Sequence, residues 1–278
     1  MATHVESLEN GLKIILRPIP DTKAISCWVT YRVGSRNEVP GMTGSTHWVE
    51  HMLFKGGGKL KKGEIDRLIS RVGGKMNAFT DTDFTTYFET IPATEMDTAL
   101  MIESERMRNA AFDPKEVEAE RTVVISEREG AENQPEFLAE EELWSLAFQV
   151  HPYHWTAIGY KQDLARLDRD PLYQHYLRYY APNNAALAIV GDVKAADCLA
   201  KVRQYFESIP QQPAPPDVDM TEPAQAAERR QTIDDPLARL ARLDIVYHIP
   251  QAMTPDSVGP MQGVQPAANA MPVKRDVG

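Results

Sequence analysis

The chain has 278 residues, 42% hydrophobic and 25% charged, with a net charge of −10 at neutral pH. That is ordinary globular material, long enough for one large domain or two small ones. The negative balance argues against nucleic acid or an anionic membrane surface as partner and mildly favours basic peptides. No apolar run reaches membrane-spanning length, so no membrane partner is expected. Met1 to Ser7 show neither a charged leader nor a cleavage pattern. The expected location is therefore the cytoplasm, with the periplasm or secretion expected instead if the N-terminus is incomplete. Cys27 and Cys198 are the only cysteines, and both sit in regular segments as two buried thiols would.

Strands are expected at Leu12 to Arg17 and Ala24 to Val33. A helix follows over Thr46 to Phe54, entered through Pro40, Gly41 and Gly44, capped by Thr43 and closed by Gly56, Gly57 and Gly58. Ile65, Leu68, Ile69 and Val72 recur at helical spacing. After a turn at Gly73 and Gly74, Thr82 to Ile91 alternates like a strand. Thr94 and Asp97 open a helix carrying Met96, Leu100 and Met107. Asp113, Pro114 and Glu116 start another, with Asp as N-cap, Pro in the first turn and Glu closing a capping box.

Helices over Glu136 to Phe148 and from Asp170-Pro171 come next, then a buried strand at Ala185 to Val190 and a helix at Ala195 to Phe206. Two strands precede any helix and the alternation is irregular, which points to an α+β fold, a two-layer sandwich, over a doubly wound sheet. Ile209 to Pro216 is proline-rich and reads as an extended linker. The expected organisation is one unit over 1–208 and a linker over 209–231, with 232–278 beyond it, which the family resemblance described below marks as the start of a second unit. Leu240 to Ile249 is strand-like, and Gln251 to Gly278 reads as disorder.

The chemistry concentrates in His47, Glu50 and His51. Two imidazoles four apart and a carboxylate three after the first lie on one face of a helix, where a divalent metal and an acid/base group can meet. This H-x-x-E-H order is an inverted form of the commoner zinc-peptidase motif. Zinc takes nitrogen, sulfur or carboxylate ligands and, in catalytic sites, three from the protein; a third ligand is needed. The residues alone leave it open among Glu116, Glu118, Glu120, Glu127, Glu129 and Glu132, whose default reading is a solvated acidic face. His151 and His154 flank a proline in a loop with no third ligand near them, and His4, His175 and His248 stand alone.

Three stretches carry a resemblance: Val33 to Glu38, Gly44 to Gly56 and Gly73 to Thr80. They look like the pitrilysin/insulinase (M16) zinc metallopeptidases, in the branch that includes the mitochondrial processing peptidases, and the likeness runs from about Leu8 to about Pro250. It implies a LuxS-like domain with helices on a largely antiparallel sheet. It also implies one zinc ion per chain, held by His47, His51 and Glu127, with Glu120 supporting the site and Glu50 as general base. Family members hold the peptide as an added strand beside the segment matching Asn77 and Ala78, which makes these two the substrate-binding candidates; without the likeness, that segment is a glycine turn before a strand.

The branch normally pairs a zinc-bearing half with a homologous half around a chamber, whereas here the second half is barely begun. Two functions follow as expectations: a zinc metalloendopeptidase acting on peptides or unfolded segments, alone or with a second M16 domain or subunit, and a non-catalytic, partner-dependent subunit of a processing-peptidase-like complex. The intact set of His47, Glu50, His51 and Glu127 favours the first. A zinc hydrolase of non-peptide substrates is a weaker third.

Overall fold

The elements of the chain run β1 (His4–Ser7), β2 (Lys13–Pro18), β3 (Ala24–Tyr31), α1 (Ser45–Met52), α2 (Glu64–Arg71), β4 (Lys75–Thr80), β5 (Thr85–Pro92), α3 (Met96–Arg108), α4 (Pro114–Glu132), α5 (Pro135–Ala147), α6 (Lys161–Leu164), α7 (Arg169–Tyr179), β6 (Ala185–Gly191) and α8 (Ala195–Phe206), with short 3₁₀ turns between some of them. They are taken from a computed structural model that describes residues 2–218 and 221–248.

The strands form one sheet in the order β1-β2-β6-β3-β5-β4. Only the β2–β6 pair is parallel; the other neighbours are antiparallel. Side chains alternate across a strand, and in β3 this buries Ile25, Cys27, Val29 and Tyr31 while Ser26, Trp28 and Thr30 stay half-buried. The buried face joins helical residues such as Trp48, Met52, Leu100, Val124, Leu172 and Val202 in a single core, the expected two-layer α+β sandwich. On the opposite face Trp28 stacks on Phe88, and Thr30 meets Thr86 across the β3–β5 pair. Cys27 and Cys198 are buried free thiols. No helix among the described residues is long and apolar enough to cross a membrane.

Several expectations are corrected. The strand expected from Thr82 is one arm of a hairpin whose other arm, β4, places Ala78 opposite Tyr87; Asp81 to Phe84 make the turn, closed by the Asp81 amide donating to the Phe84 carbonyl at 2.8 Å. β1, unexpected because its four residues are all exposed and show no alternation, pairs with β2. In α4, Asp113 caps as expected by accepting from the Lys115 amide, but Glu116 pairs with Lys62 instead of closing a capping box. Leu240 to His248 form no strand among the described residues, and Leu240, Leu243, Ile245 and Tyr247 are exposed. An isolated strand with no neighbour gains too little to form. The disorder expected from Gln251 lies outside the described residues.

The entry to α1 also differs. Thr43 does not cap it: the Thr43 hydroxyl donates to Asp163 Oδ2 at 2.6 Å and accepts from the Tyr160 amide at 2.9 Å. The cap position belongs to Gly44, in the left-handed region at φ 82°. The free amides at the helix start are satisfied by Glu38, whose carboxylate accepts from Gly44 N at 2.8 Å and Thr46 N at 2.7 Å. The helix ends at Met52, before the glycine triplet, which instead turns back to bridge Leu60 and Ala110.

Gly44 meets Gly159 backbone to backbone. A Cβ on Gly44 would stand 2.6 Å from the Ile158 carbonyl oxygen, and one on Gly159 would stand 2.3 Å from the Gly44 nitrogen. Gly44→Ala is therefore expected to destabilise the fold by at least about 1–3 kcal/mol, the cost of a left-handed non-glycine residue, before the collision is counted. A thermal melt identical to that of the parent would contradict this packing.

Candidate metal centre

An α-helix turns once in about 3.6 residues, and this period decides which side chains of α1 meet. Trp48, Val49 and Met52 point into the core, so His47, Glu50 and His51 share the opposite side, with the two histidines one turn apart. Their Nε2 atoms lie 3.2 Å from each other. From α4, Glu127 brings Oε2 to 3.8 Å from His47 Nε2 and 3.5 Å from His51 Nε2. These are the three groups that converge as a potential metal site among the described residues.

The donor set fits zinc on its own geometry. Bonds of about 2.0–2.1 Å in a tetrahedron put neighbouring ligand atoms about 3.3 Å apart, close to the spacings seen. Burial, and then the neighbouring His51, push His47 down to about 3, so its imidazole is neutral and has a lone pair to give. His51 Nδ1 lies 2.9 Å from Glu120 Oε1. A proton on Nδ1 donates there and leaves the His51 Nε2 lone pair facing the same point. A cation between these nitrogens satisfies both.

Glu120 and Glu127 are seven apart on α4 and share its face, but they do different work. Glu120 is buried, with one oxygen on His51 and the other paired with Lys55. Burial raises its pKa, yet the hydrogen bonds from Lys55 and His51 outweigh this and hold it below the usual carboxylate value. Glu127 is half-exposed, leaving the cluster open on that side. Glu50 is buried, and its Oε2 accepts from the Thr80 hydroxyl at 2.6 Å. Burial raises its pKa, with Thr80 and His51 opposing, which strengthens it as a base.

Thr80 ends β4, so the same contact ties α1 to the edge of the sheet. Asn77 is exposed on β4, whereas Ala78 is turned inward and buried. The two therefore occupy opposite faces of a strand whose outer edge pairs with no other strand among the described residues. Pro152–His154 form a 3₁₀ turn outside the cluster, capped by His151: its Nδ1 accepts from the Tyr153 amide, and His154 Nδ1 faces the Phe148 carbonyl. His175 is a core residue against the Thr46 hydroxyl at 3.0 Å. Lys55, Thr80 and Glu38 fall inside the stretches that carry the family likeness, but their roles are not legible there, because their partners are set by packing and no spacing rule connects them.

A family model described as insulinase (peptidase family M16) matches residues 13–159, and one described as the M16 inactive domain matches 166–261. The chain belongs to the M16 peptidase family. The second match begins before α7 and takes in β6, which sits inside the sheet between β2 and β3; β6 thus belongs to the same sheet as the strands of the first match. The zinc protease PqqE of Helicobacter pylori is 33% identical over 256 residues, 91% of this chain and 58% of that protein. A probable mitochondrial-processing peptidase subunit beta of Arabidopsis thaliana is 27% identical over 261 residues, 93% of this chain and 49% of that one. The crystal structure of a protease from Helicobacter pylori superposes with a TM-score of 0.78 at 34% identity, covering 80% of this chain and 54% of that one. The chain thus spans about half the length of these relatives.

Proposed function

We propose that the chain is the zinc-bearing half of a metalloendopeptidase that hydrolyses peptide bonds in peptides or unfolded segments. The observation that carries this reading is the convergence of His47, His51 and Glu127, with Glu50 on the same helix face. His47 Nε2, His51 Nε2 and a Glu127 oxygen would hold one zinc ion, and Glu120 would fix the His51 ring. Zinc in such a site lowers the pKa of water and polarises the scissile carbonyl. Glu50, desolvated and held by Thr80, takes the proton of the attacking water and passes it to the departing amine.

The open edge of β4 is suited to receive the substrate as an added strand, where backbone hydrogen bonds give affinity with little demand on sequence. Asn77 and Ala78 are the proposed contacts, Asn77 through its exposed side chain and Ala78 through its backbone. Because the chain spans half the length of its relatives, we infer that efficient cleavage uses a second M16 unit, in the same chain or a partner, to close over the peptide. The complete set of ligands and base speaks against a purely non-catalytic subunit.

The test is zinc analysis together with chelator-sensitive cleavage of an unstructured peptide, using the 278-residue chain and a version extended through a full second unit. One zinc per chain in both, with faster cleavage by the longer form, is the expected result. A folded chain that takes up no zinc would overturn the ligand assignment.

A further inference from the structure

Glu120 reaches both His51 and a lysine that the proposed chemistry does not use. Lys55 follows the turn that closes α1, where the Phe54 and Lys55 amides donate to the His51 and Met52 carbonyls. Its ammonium pairs with Glu120 Oε2, while Glu120 Oε1 faces His51 Nδ1 at 2.9 Å. The three groups form a chain of contacts from Lys55 through Glu120 to the ring nitrogen of His51 that faces away from the cluster: the Lys55 side chain is 27% exposed, that of His51 19% and that of Glu120 only 8%.

We propose that Lys55 is a positioning residue for the metal site, holding the Glu120 carboxylate in the orientation that points His51 Nε2 at the ion. The inference rests on the proposed ligand set. A buried carboxylate with one partner can rotate about its terminal bond; two partners on its two oxygens fix its plane. The carboxylate is buried between the Lys55 ammonium and the His51 imidazole, so water screens its two contacts little. Lys55 suits the task because it leaves α1 on the side facing α4, on the same backbone turn that ends the helix carrying His51. Its charge has another consequence: with Lys55 the partner of Glu120, the carboxylate donates orientation and electron density to His51 without competing for the ion itself.

The test is zinc affinity, measured by competition with a chromophoric chelator on the full chain, with the metal-free melting temperature as the check on folding. Lys55→Met is expected to fold cooperatively without metal, with a melting temperature somewhat below the parent's, and to bind zinc about tenfold more weakly, at the lower end of the range for partners of ligating histidines. Lys55→Arg keeps the charge and is expected to recover most of the affinity. Glu120→Gln should also weaken binding, and the double variant Lys55→Met with Glu120→Gln should bind no more weakly than Glu120→Gln alone, because both act through one contact. Parent-like affinity in Lys55→Met, or losses that simply add in the double variant, would overturn the role. A parent chain that binds no zinc would instead remove the ligand set on which it stands.

Discussion

Replacing Glu50 by glutamine is expected to leave zinc bound and to lower peptide hydrolysis by at least about a hundredfold, the smaller end of what a positioned general base contributes. The substitution keeps shape and volume. The amide oxygen of the new side chain can still accept from the Thr80 hydroxyl that now donates to Glu50 Oε2 at 2.6 Å, so the link between α1 and β4 survives. What is lost is the ability to take a proton, because an amide oxygen is far too weak a base. Zinc content should be unchanged, since Glu50 is not among the three converging ligand atoms. The measurement pairs metal analysis with turnover in whichever form of the chain, as it stands or extended, cleaves peptide. Activity within a few fold of the parent would remove Glu50 from the chemistry, and loss of zinc would make it a ligand.

The contrast between Glu50 and Glu127 shows what a sequence carries of such a site. His47, Glu50 and His51 are legible because all three sit on one helix, whose period fixes their common face from spacing alone. Glu127 is legible only through the family likeness: six glutamates crowd the neighbouring stretch, and choosing among them needs the angle at which α4 crosses α1. The fold class was readable from two strands ahead of the first helix, and the buried strands from their alternation. β4 is obscured because burial alternates along it while residue type does not: the large apolar Phe79 faces outward and the polar Thr80 inward, which leaves only a glycine turn as signal. The helix cap was misplaced for a similar reason: Thr43 is the right residue type, but its hydroxyl is taken by Asp163 and Tyr160, more than a hundred residues away, and Glu38 answers the free amides from outside the helix. Contacts of this kind are set by tertiary packing, and no local pattern records them.

The largest expected loss of stability lies behind the end of the same helix. Arg106, Glu89 and Glu103 are buried together, none more than 3% exposed. Arg106 Nη1 pairs with Glu103 and lies 3.2 Å from Glu89 Oε1, and its guanidinium sits over the rings of Tyr87 and Phe54. Its Nε donates to the Leu53 carbonyl at 3.4 Å, at the C-terminal end of α1. Two carboxyls and one guanidinium balance if one carboxyl keeps its proton, and Glu89 is the one pushed well up, by burial first and then by the charge of Glu103. Arg106→Met fills the space with a side chain of similar reach but removes the cation. The expected cost is about 3–5 kcal/mol near pH 8, the usual penalty for stripping one partner from a buried charge cluster.

The sign of its pH dependence follows from Glu89. A carboxyl whose folded pKa is raised above its unfolded value favours the fold below the unfolded pKa and loses that contribution as pH rises through the folded one. Arg106 is what opposes the rise, so without it the folded pKa climbs further and the penalty at high pH grows. Urea midpoints at pH 5 and pH 8 should therefore differ more in Arg106→Met than in the parent, with the variant nearer the parent at pH 5. Adding Glu89→Gln to Arg106→Met should recover part of the loss at pH 8, because one fewer buried carboxyl then lacks a counter-charge. A loss equal at both pH values, with no recovery in the double variant, would mean that Arg106 acts through packing on Tyr87 and Phe54 alone; the charge balance behind the end of α1 would then be incidental to how that helix is held against the sheet.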